Sequence, residues 1–247
     1  MANRPLLIYP PVPLPAGGQG AAAGALAARG EPAAADGTDQ RGTRRALQAD
    51  AKEQRRSRIL DAAAEVLGNS PNRDIGVAEV AAAAGLAKGT VYLYFPSKEE
   101  LLLALHERQT ESFFAALAEA SQQHRLDFDG LFGLIDRFLL SSQLYLPLAS
   151  RCLGVLDFSV LPSVRQAYRS RIAGHLALVG PLVERDFQGL EPGGGVSLLL
   201  ASYGLIMGLW QLLSPDATSN PYPLEFRRDT EAALRALWRG RVSMAAV

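Results

Sequence analysis

The chain has 247 residues, 48% of them hydrophobic and 20% charged, enough to bury the core of one large helical domain or two smaller ones. Its formal net charge is zero, so charge as a whole makes no case for nucleic acid, and its single cysteine, Cys152, excludes an intramolecular disulfide and a cysteine zinc cluster. The lone cysteine fits a reducing cytoplasm. The charge is unevenly placed: residues 41–98 hold ten Lys/Arg against six Asp/Glu, and residues 99–247 hold thirteen against sixteen. A basic segment joined to a mildly acidic body points to one part of the chain meeting a polyanion.

Residues 1–50 are rich in Ala, Gly and Pro, show neither helical nor strand period, and are expected to form a disordered extension. The prolines of "MANRPLLIYPPVPLP" interrupt any signal-peptide core. Arg41, Arg44, Arg45, Arg55, Arg56 and Arg58 cluster at the end of this stretch, either as a solvated lead-in or as a basic arm on phosphates. From about Lys52 the pattern turns helical, with Ile59, Ala63, Val66 and Leu67 on one face. A short helix is expected over Val77–Ala84, buried through Val80, Ala81 and Ala84. Gly85-Leu86-Ala87 makes a tight turn, and a second short helix covers Lys88–Phe95. Two short helices joined by a Gly-containing turn form a helix-turn-helix, and residues 51–100 are assigned to it. Beyond Leu101 the expected spans are Ser97–Ala120, Asp129–Gln143, Tyr145–Asp157, Pro162–Phe187, Val196–Leu213 and Leu224–Arg239, so the fold class is all-α.

On a helix over residues 88–95, at about 100° per residue, Val91 and Phe95 share the inner side and can pack on Leu86, Ile59 and Leu101. Gly89, Thr90 and Leu93 fall opposite them, with Tyr92 and Tyr94 on the flanks. Such a face suits the DNA major groove. Its centre is small or apolar and can meet base edges, including a thymine methyl, while the phenols reach the phosphate walls. Gly89 weakens the helix but permits close approach. Lys88 can reach a guanine or a phosphate. Pro96 ends the helix, and Ser97 with Glu100 reads as a capping box for the next one. Lys98 in that first turn opposes the helix dipole, which a local anion would explain. Plain core packing is the other role open to Tyr92, Tyr94 and Phe95.

The string "ILDAAAEVLGNSPNRDIGVAEVAAAAGLAKGTVYLYFPSKEELLLAL" resembles the DNA-binding domain of the tetracycline-repressor (TetR) family of bacterial transcription regulators. The carrying residues are Ile59, Ala62, Ala63, Val80, Ala81, Ala84, Gly85, Lys88, Gly89, Thr90, Tyr92, Tyr94, Phe95, Lys98, Glu99 and Leu101. The resemblance implies DNA contacts from Lys88, Thr90, Tyr92, Tyr94 and Lys98 and places Leu93 where family members vary. The helical geometry sets Gly89 and Leu93 on the reading face, and Arg55, Arg56 and Arg58 are expected to help on phosphates. Three positions depart from the family pattern: Pro71-Asn72 where a Gly and an aromatic are usual, Gly76 where a Thr usually caps the second helix, and Ala87 where a Ser or Thr often precedes the lysine.

Residues 101–247 are expected to be a helical effector-binding and dimerisation domain. "VSLLLASYGLIMGLWQLL", Val196–Leu213, has no charged residue and is barely long enough to span a membrane. Its stripe of Ser197, Ala201, Gly204 and Gly208 favours a helix packed closely in a dimer. Phe226, Thr230, Ala233, Leu234 and Leu237 on the last helix would partner it. The resemblance implies the same: the last two helices pair with their symmetry mates, giving a homodimer for a palindromic operator. It also implies a small-molecule effector cavity in each body. Phe114, Tyr145, Cys152, Phe158, Tyr168, His175, Tyr203 and Trp210 are candidate linings, each with core packing as its ordinary alternative, and their character points to a hydrophobic effector. Arg151, Asp157 or His175 could anchor a polar end.

An enzyme is not expected: there is no Gly-rich loop ending in Lys-Ser/Thr, no His-Glu-x-x-His and no Gly-x-Ser-x-Gly. Gly193–Gly195 reads as a loop, and His106, His124 and His175 form no ligand spacing, so neither metal nor cofactor is expected. The expected function is a cytoplasmic, ligand-responsive DNA-binding regulator, most simply a repressor. The alternatives are a DNA-binding regulator without a small-molecule ligand and a membrane-associated helical adaptor resting on Val196–Leu213.

Overall fold

The computed structural model describes residues 36–69, 73–213 and 224–242, with side chains described from Leu47 onward except at residues 154–158. Every regular element among the described residues is helical. The order is α1 (Asp36–Gly68), α2 (Val77–Ala83), α3 (Lys88–Tyr92), α4 (Lys98–Gln123), α5 (Phe128–Ile135), α6 (Tyr145–Phe158), α7 (Pro162–Asp186), α8 (Gly194–Leu213) and α9 (Phe226–Arg239). Gln48–Val247 form one compact unit. Helix α1 begins at Asp36, inside the stretch expected to be disordered. Residues 44–58 are rich in Arg, Ala and Gln, good helix formers that continue α1 backwards, and Leu47–Arg55 are exposed.

Two apolar cores organise the unit. The first holds Ile59, Ala63 and Leu67 of α1, Val80, Ala81 and Ala84 around α2, and Val91 and Phe95 around α3, the residues whose spacing defined the helix faces. It also takes Leu101, Leu102, Leu103 and Leu105 from the start of α4, Leu148 and Cys152 from α6, and Tyr168 from α7. The second core holds Phe113, Phe114 and Leu117 of α4, Phe128 and Phe132 of α5, Val183 of α7, Ile206 of α8 and Trp238 of α9. Trp238 is fully buried, sets its ring edge-on to Phe187 at 4.6 Å, and donates from Nε1 to Ser202 Oγ at 2.9 Å. Helix α4 therefore runs from one core into the other.

Several elements depart from the sequence expectation for local reasons. The α5 segment expected to reach Gln143 ends as a helix at Ile135 and widens into one π turn over Asp136–Leu140, closed by Ser141 N–H on Asp136 O at 2.8 Å. Arg227 grips the Asp136 carboxylate with two hydrogen bonds, at 2.6 and 2.7 Å, and holds that carboxyl below its usual range. Gly194 and Gly195, expected in a loop, open α8. A Cβ on Gly195 would stand 2.2 Å from Gly180 O, so α7 and α8 cross backbone to backbone here. Glu184 Oε1 accepts from the Gly193 and Gly195 amides at 2.9 and 3.1 Å, supplying the α8 N-terminus with its cap. Leu234, expected at a dimer face, is fully buried in the body core. The fully buried part of the α9 face, Leu234 and Trp238, packs within the chain, with Trp238 on Ser202 of α8 and Phe128 of α5.

Helix α4 carries a buried polar group between the two cores. His106 is 3% exposed, its Nδ1 lies 2.8 Å from Tyr168 Oη, and its ring sits 5.3 Å from that of Tyr145. Tyr145 Oη in turn pairs with Thr110 Oγ1 at 3.3 Å. Burial pushes the His106 imidazole down to about 4 from its ordinary value of 6.5. A base with a depressed folded-state pKa destabilises the fold as pH falls from the unfolded pKa toward the folded one, because the unfolded chain takes up the proton first. The His106 contribution therefore costs about 2 kcal/mol between pH 7 and pH 5 by linkage. Urea unfolding at both pH values should show this loss in the wild-type chain and a correspondingly smaller loss in His106→Gln.

Candidate nucleic-acid interface

The turn between α2 and α3 depends on one glycine. Gly85 has φ +66°, the left-handed conformation that costs other residues. There the Leu86 amide donates to Ala81 O at 2.8 Å and the Gly85 amide to Ala82 O at 3.1 Å, which closes α2 in a Schellman motif. At its other end α2 lacks a side-chain cap because Gly76 occupies that position. Glu79 compensates in part. Its carboxylate accepts from the Gly76 amide at 3.2 Å and from Arg73 Nη1 at 2.8 Å.

Helix α3 is shorter than its sequence span, regular over Lys88–Tyr92 and completed by a turn in which the Leu93 and Tyr94 amides donate to Thr90 O and Val91 O. Val91 and Phe95 are buried as their spacing required. Lys88, Gly89, Tyr92 and Leu93 are exposed, and Thr90 and Tyr94 are half-buried. Leu93 is 81% exposed and Tyr92 41%, so a large aliphatic and a phenol stand on the outward face. A Cβ on Gly89 would meet only open space, so the chain's own packing does not require glycine there. Lys88 Nζ lies 5.8 Å from the Tyr92 ring, a cation–π approach that keeps the ammonium on the exposed side. Tyr94 packs against the head core, so it links that core to the surface.

The cations divide into those occupied within the chain and those that are not. Arg58 Nη2 donates to Ala84 O at 3.2 Å, holding the end of α2. Arg56 lies over the Phe95 ring at 5.3 Å and pairs with Glu53 at 3.6 Å. Arg55 is exposed on α1. Lys98, in the first turn of α4, pairs with Asp74, a local anion within the chain. The Lys98 hydrogen bond, with its charge and that of Arg151, holds the Asp74 carboxyl below the usual range. Ser97 Oγ accepts from the Glu100 amide at 3.1 Å, the forward half of the expected capping box. Arg108 joins Asp61 at 2.7 Å, and Arg151 donates to Arg73 O at 3.1 Å, tying α4 and α6 to the head.

The candidate effector residues separate into groups. Tyr145 and Tyr168 gather around His106, a histidine with no ligand spacing in the sequence. Burial, then Cys152, Tyr203 and Tyr145, raise the Tyr168 phenol far above its ordinary value, and Tyr203 is raised likewise by burial, Tyr145 and Cys152. The Cys152 thiol is pushed up to about 12 by burial and donates to Leu102 O at 3.6 Å. Phe114 instead stacks on His175 at 5.6 Å, and Trp210 meets Phe226 edge-on at 5.3 Å. Asp157 and Phe158 lie outside the described side chains, and Pro71-Asn72 outside the described residues. His106 was missed because its partner stands 62 positions away, a separation that leaves no local pattern.

The sequence that forms α2, the Gly85 turn and α3 is matched by a family model. Residues 59–105 match the model for bacterial regulatory proteins of the tetR family, and residues 107–243 match that of the tetracyclin repressor-like C-terminal domain. The chain belongs to the TetR family. Regulators of this family bind DNA and are not enzymes. This TetR-family chain is 32% identical over 146 residues to the HTH-type transcriptional repressor KstR of Mycolicibacterium smegmatis, covering 57% of the chain and 65% of that protein. It is 38% identical over 61 residues to the fatty acid metabolism regulator protein of Bacillus subtilis, covering 25% of the chain and 31% of that protein. It thus spans less than two thirds of either relative's length. The fold is also that of Thermus thermophilus FadR, a TetR-family repressor solved with lauroyl-CoA, at TM-score 0.52 and 20% identity over 76% of this chain and 95% of that one.

Two glycine variants separate scaffold from reading face in this TetR-family chain. Gly85→Ala should lose about 1–2 kcal/mol of stability in urea unfolding, the cost of forcing a Cβ into the left-handed region. Gly89→Ala should keep or gain stability, by up to about 1 kcal/mol of helix propensity, yet weaken DNA binding at least tenfold in fluorescence anisotropy. Tyr94→Phe, which keeps the ring in the core, should weaken binding to all duplexes alike, whereas Leu93→Ala should change which duplex is preferred. A Gly89→Ala protein that bound DNA as tightly as wild type would place the reading face elsewhere.

Proposed function

We propose that the chain is a cytoplasmic transcriptional repressor that reads a palindromic operator as a homodimer and is released by a small apolar effector. The observation that carries the reading is the outward face of α3, where Gly89, Tyr92 and Leu93 stand exposed with no packing duty in the chain. On this reading Lys88, Thr90 and Leu93 meet base edges, and Tyr92, Tyr94 and Arg55 meet phosphates. Lys98 contacts a phosphate only by leaving or sharing Asp74, and Arg56 and Arg58 act mainly by holding the helices that present the face. The head is taken as residues 51–100 with the first turns of α4, and the remainder as the effector-binding and dimerisation body.

The dimer reading is supported by α8, where Ser197, Ala201, Gly204 and Gly208 are all exposed. A Cβ on Gly204 or Gly208 would meet open space within the chain, so their smallness serves something outside it. Phe226, Ala233 and Leu237 of α9 are half-buried and can complete the interface. Helix α8 is the one described helix long and apolar enough to cross a membrane. A second copy packed on its small-residue face would account for the same exposed surface. The repressor name of KstR and the acyl-CoA complex of T. thermophilus FadR support the sign of regulation and the apolar effector.

Selection of bound fragments from a random duplex library, with affinity then followed across salt concentration, tests the reading. A palindrome should emerge, and log affinity should fall steeply with log salt. Light scattering without detergent should give twice the chain mass. A monomer with weak, motif-free DNA binding would overturn it.

A further inference from the structure

We propose that His106 is the effector's polar anchor, donating a hydrogen bond from Nε2–H to a neutral carbonyl oxygen on an otherwise apolar molecule. This rests on the ligand-responsive reading above and adds the site and the chemical class.

The tautomer follows from the partners. Tyr168 Oη is buried, and its hydrogen bond among the described residues is to His106 Nδ1 at 2.8 Å. A buried phenol must place its proton on an acceptor, and Nδ1 is the one within reach, so Nδ1 accepts and the imidazole proton sits on Nε2. Nε2 is fully buried and has no hydrogen-bond partner among the described residues. A buried donor without an acceptor is costly and rare in native proteins. Tyr145 Oη has lone pairs to spare beside its contact with Thr110, yet no hydrogen bond joins it to Nε2. The imidazole's ring neighbours are aromatic, Tyr145 and Tyr168 at 5.3 and 6.0 Å between centroids.

Chemistry narrows the acceptor. Burial keeps the imidazole neutral at neutral pH, its pKa being pushed down to about 4. A carboxylate placed against a neutral donor in an apolar setting would be an uncompensated buried charge. A hydroxyl can accept as well, but its own proton then needs a second partner. A ketone, ester, thioester or amide oxygen takes the bond without either penalty. The position also fits a switch. His106 follows Leu105, and with Leu101, Leu102 and Leu103 that residue belongs to the head core, while Cys152 donates to Leu102 O. An oxygen bound at Nε2 acts on α4 at the point where head and body meet, so effector and operator can each disfavour the other.

The test uses the full chain with three probes of equal length, dodecan-2-one, dodecan-1-ol and dodecanoic acid, read by calorimetry and thermal shift. The ketone should bind at least tenfold tighter than the other two. That preference should vanish in His106→Phe and persist in His106→Gln, whose amide N–H can occupy the Nε2 position. Long-range 1H–15N spectra of the wild-type imidazole, which need no variant, should show Nε2 protonated and its signal moving with the ketone. An Nδ1–H tautomer, or equal ketone affinity in wild type and His106→Phe, would overturn the anchor and leave effector control standing. Failure of all three probes to bind would also overturn it. Effector control itself falls only if a broad compound set neither raises Tm nor releases DNA.

Discussion

Leu101, Leu102, Leu103 and Leu105 are buried at the start of α4 against the DNA-reading head, and Phe113, Phe114 and Leu117 of the same helix are buried in the body. A single rigid helix of 26 residues therefore has one end in each core. Each buried leucine contributes about 1.5–3 kcal/mol of burial, so detaching the head from α4 is unfavourable. Leu148, Cys152 and Tyr168 seal the seam from α6 and α7, and Arg108 and Arg151 add polar ties across it. Interiors packed this closely respond to a perturbation by moving as bodies rather than by deforming locally. The orientation of α3 is thereby tied to the packing of α6 and α7 around α4.

Within the head, polar side chains are divided between holding and reading. Arg58 on Ala84 O, Glu79 on the Gly76 amide and Lys98 on Asp74 secure the ends of short helices that could not stand alone. Gly85 sets the angle between those helices. The outward residues of α3 carry no such duty, which leaves Leu93 and Tyr92 at a surface with an uncommon aliphatic–aromatic character for an exposed helix. A face of that kind next to exposed Lys88 and Arg55 suits a polyanion with apolar methyl groups in its groove.

Much of this was legible in the sequence because it is local. The three- and four-residue spacing of Ile59, Ala63 and Leu67, the Gly85 turn, and the inward placing of Val91 and Phe95 all depend on neighbours within a few turns. What the sequence hid depends on distant partners. The anion for Lys98 is Asp74, the acceptor for Arg58 is a carbonyl 26 positions on, and the Nδ1 partner of His106 is Tyr168. Leu234 went to the wrong interface because amphipathicity names a buried face without naming what covers it. Gly193 does lie in a turn, but Gly194 and Gly195 open α8, and the need for glycine at Gly195 comes from the backbone of α7 at Gly180, which no local pattern shows.

Coupling through α4 is tested most directly by amide hydrogen exchange on Leu148→Ala. This substitution removes a fully buried α6 side chain from the head core, at a cost of about 2–5 kcal/mol. The Tyr94 and Phe95 amides, which donate to Val91 O at the end of the reading helix, should lose protection together with those of α6. Unchanged protection at Tyr94 and Phe95, with loosening confined to α6, would show that head and body are joined only by chain connectivity.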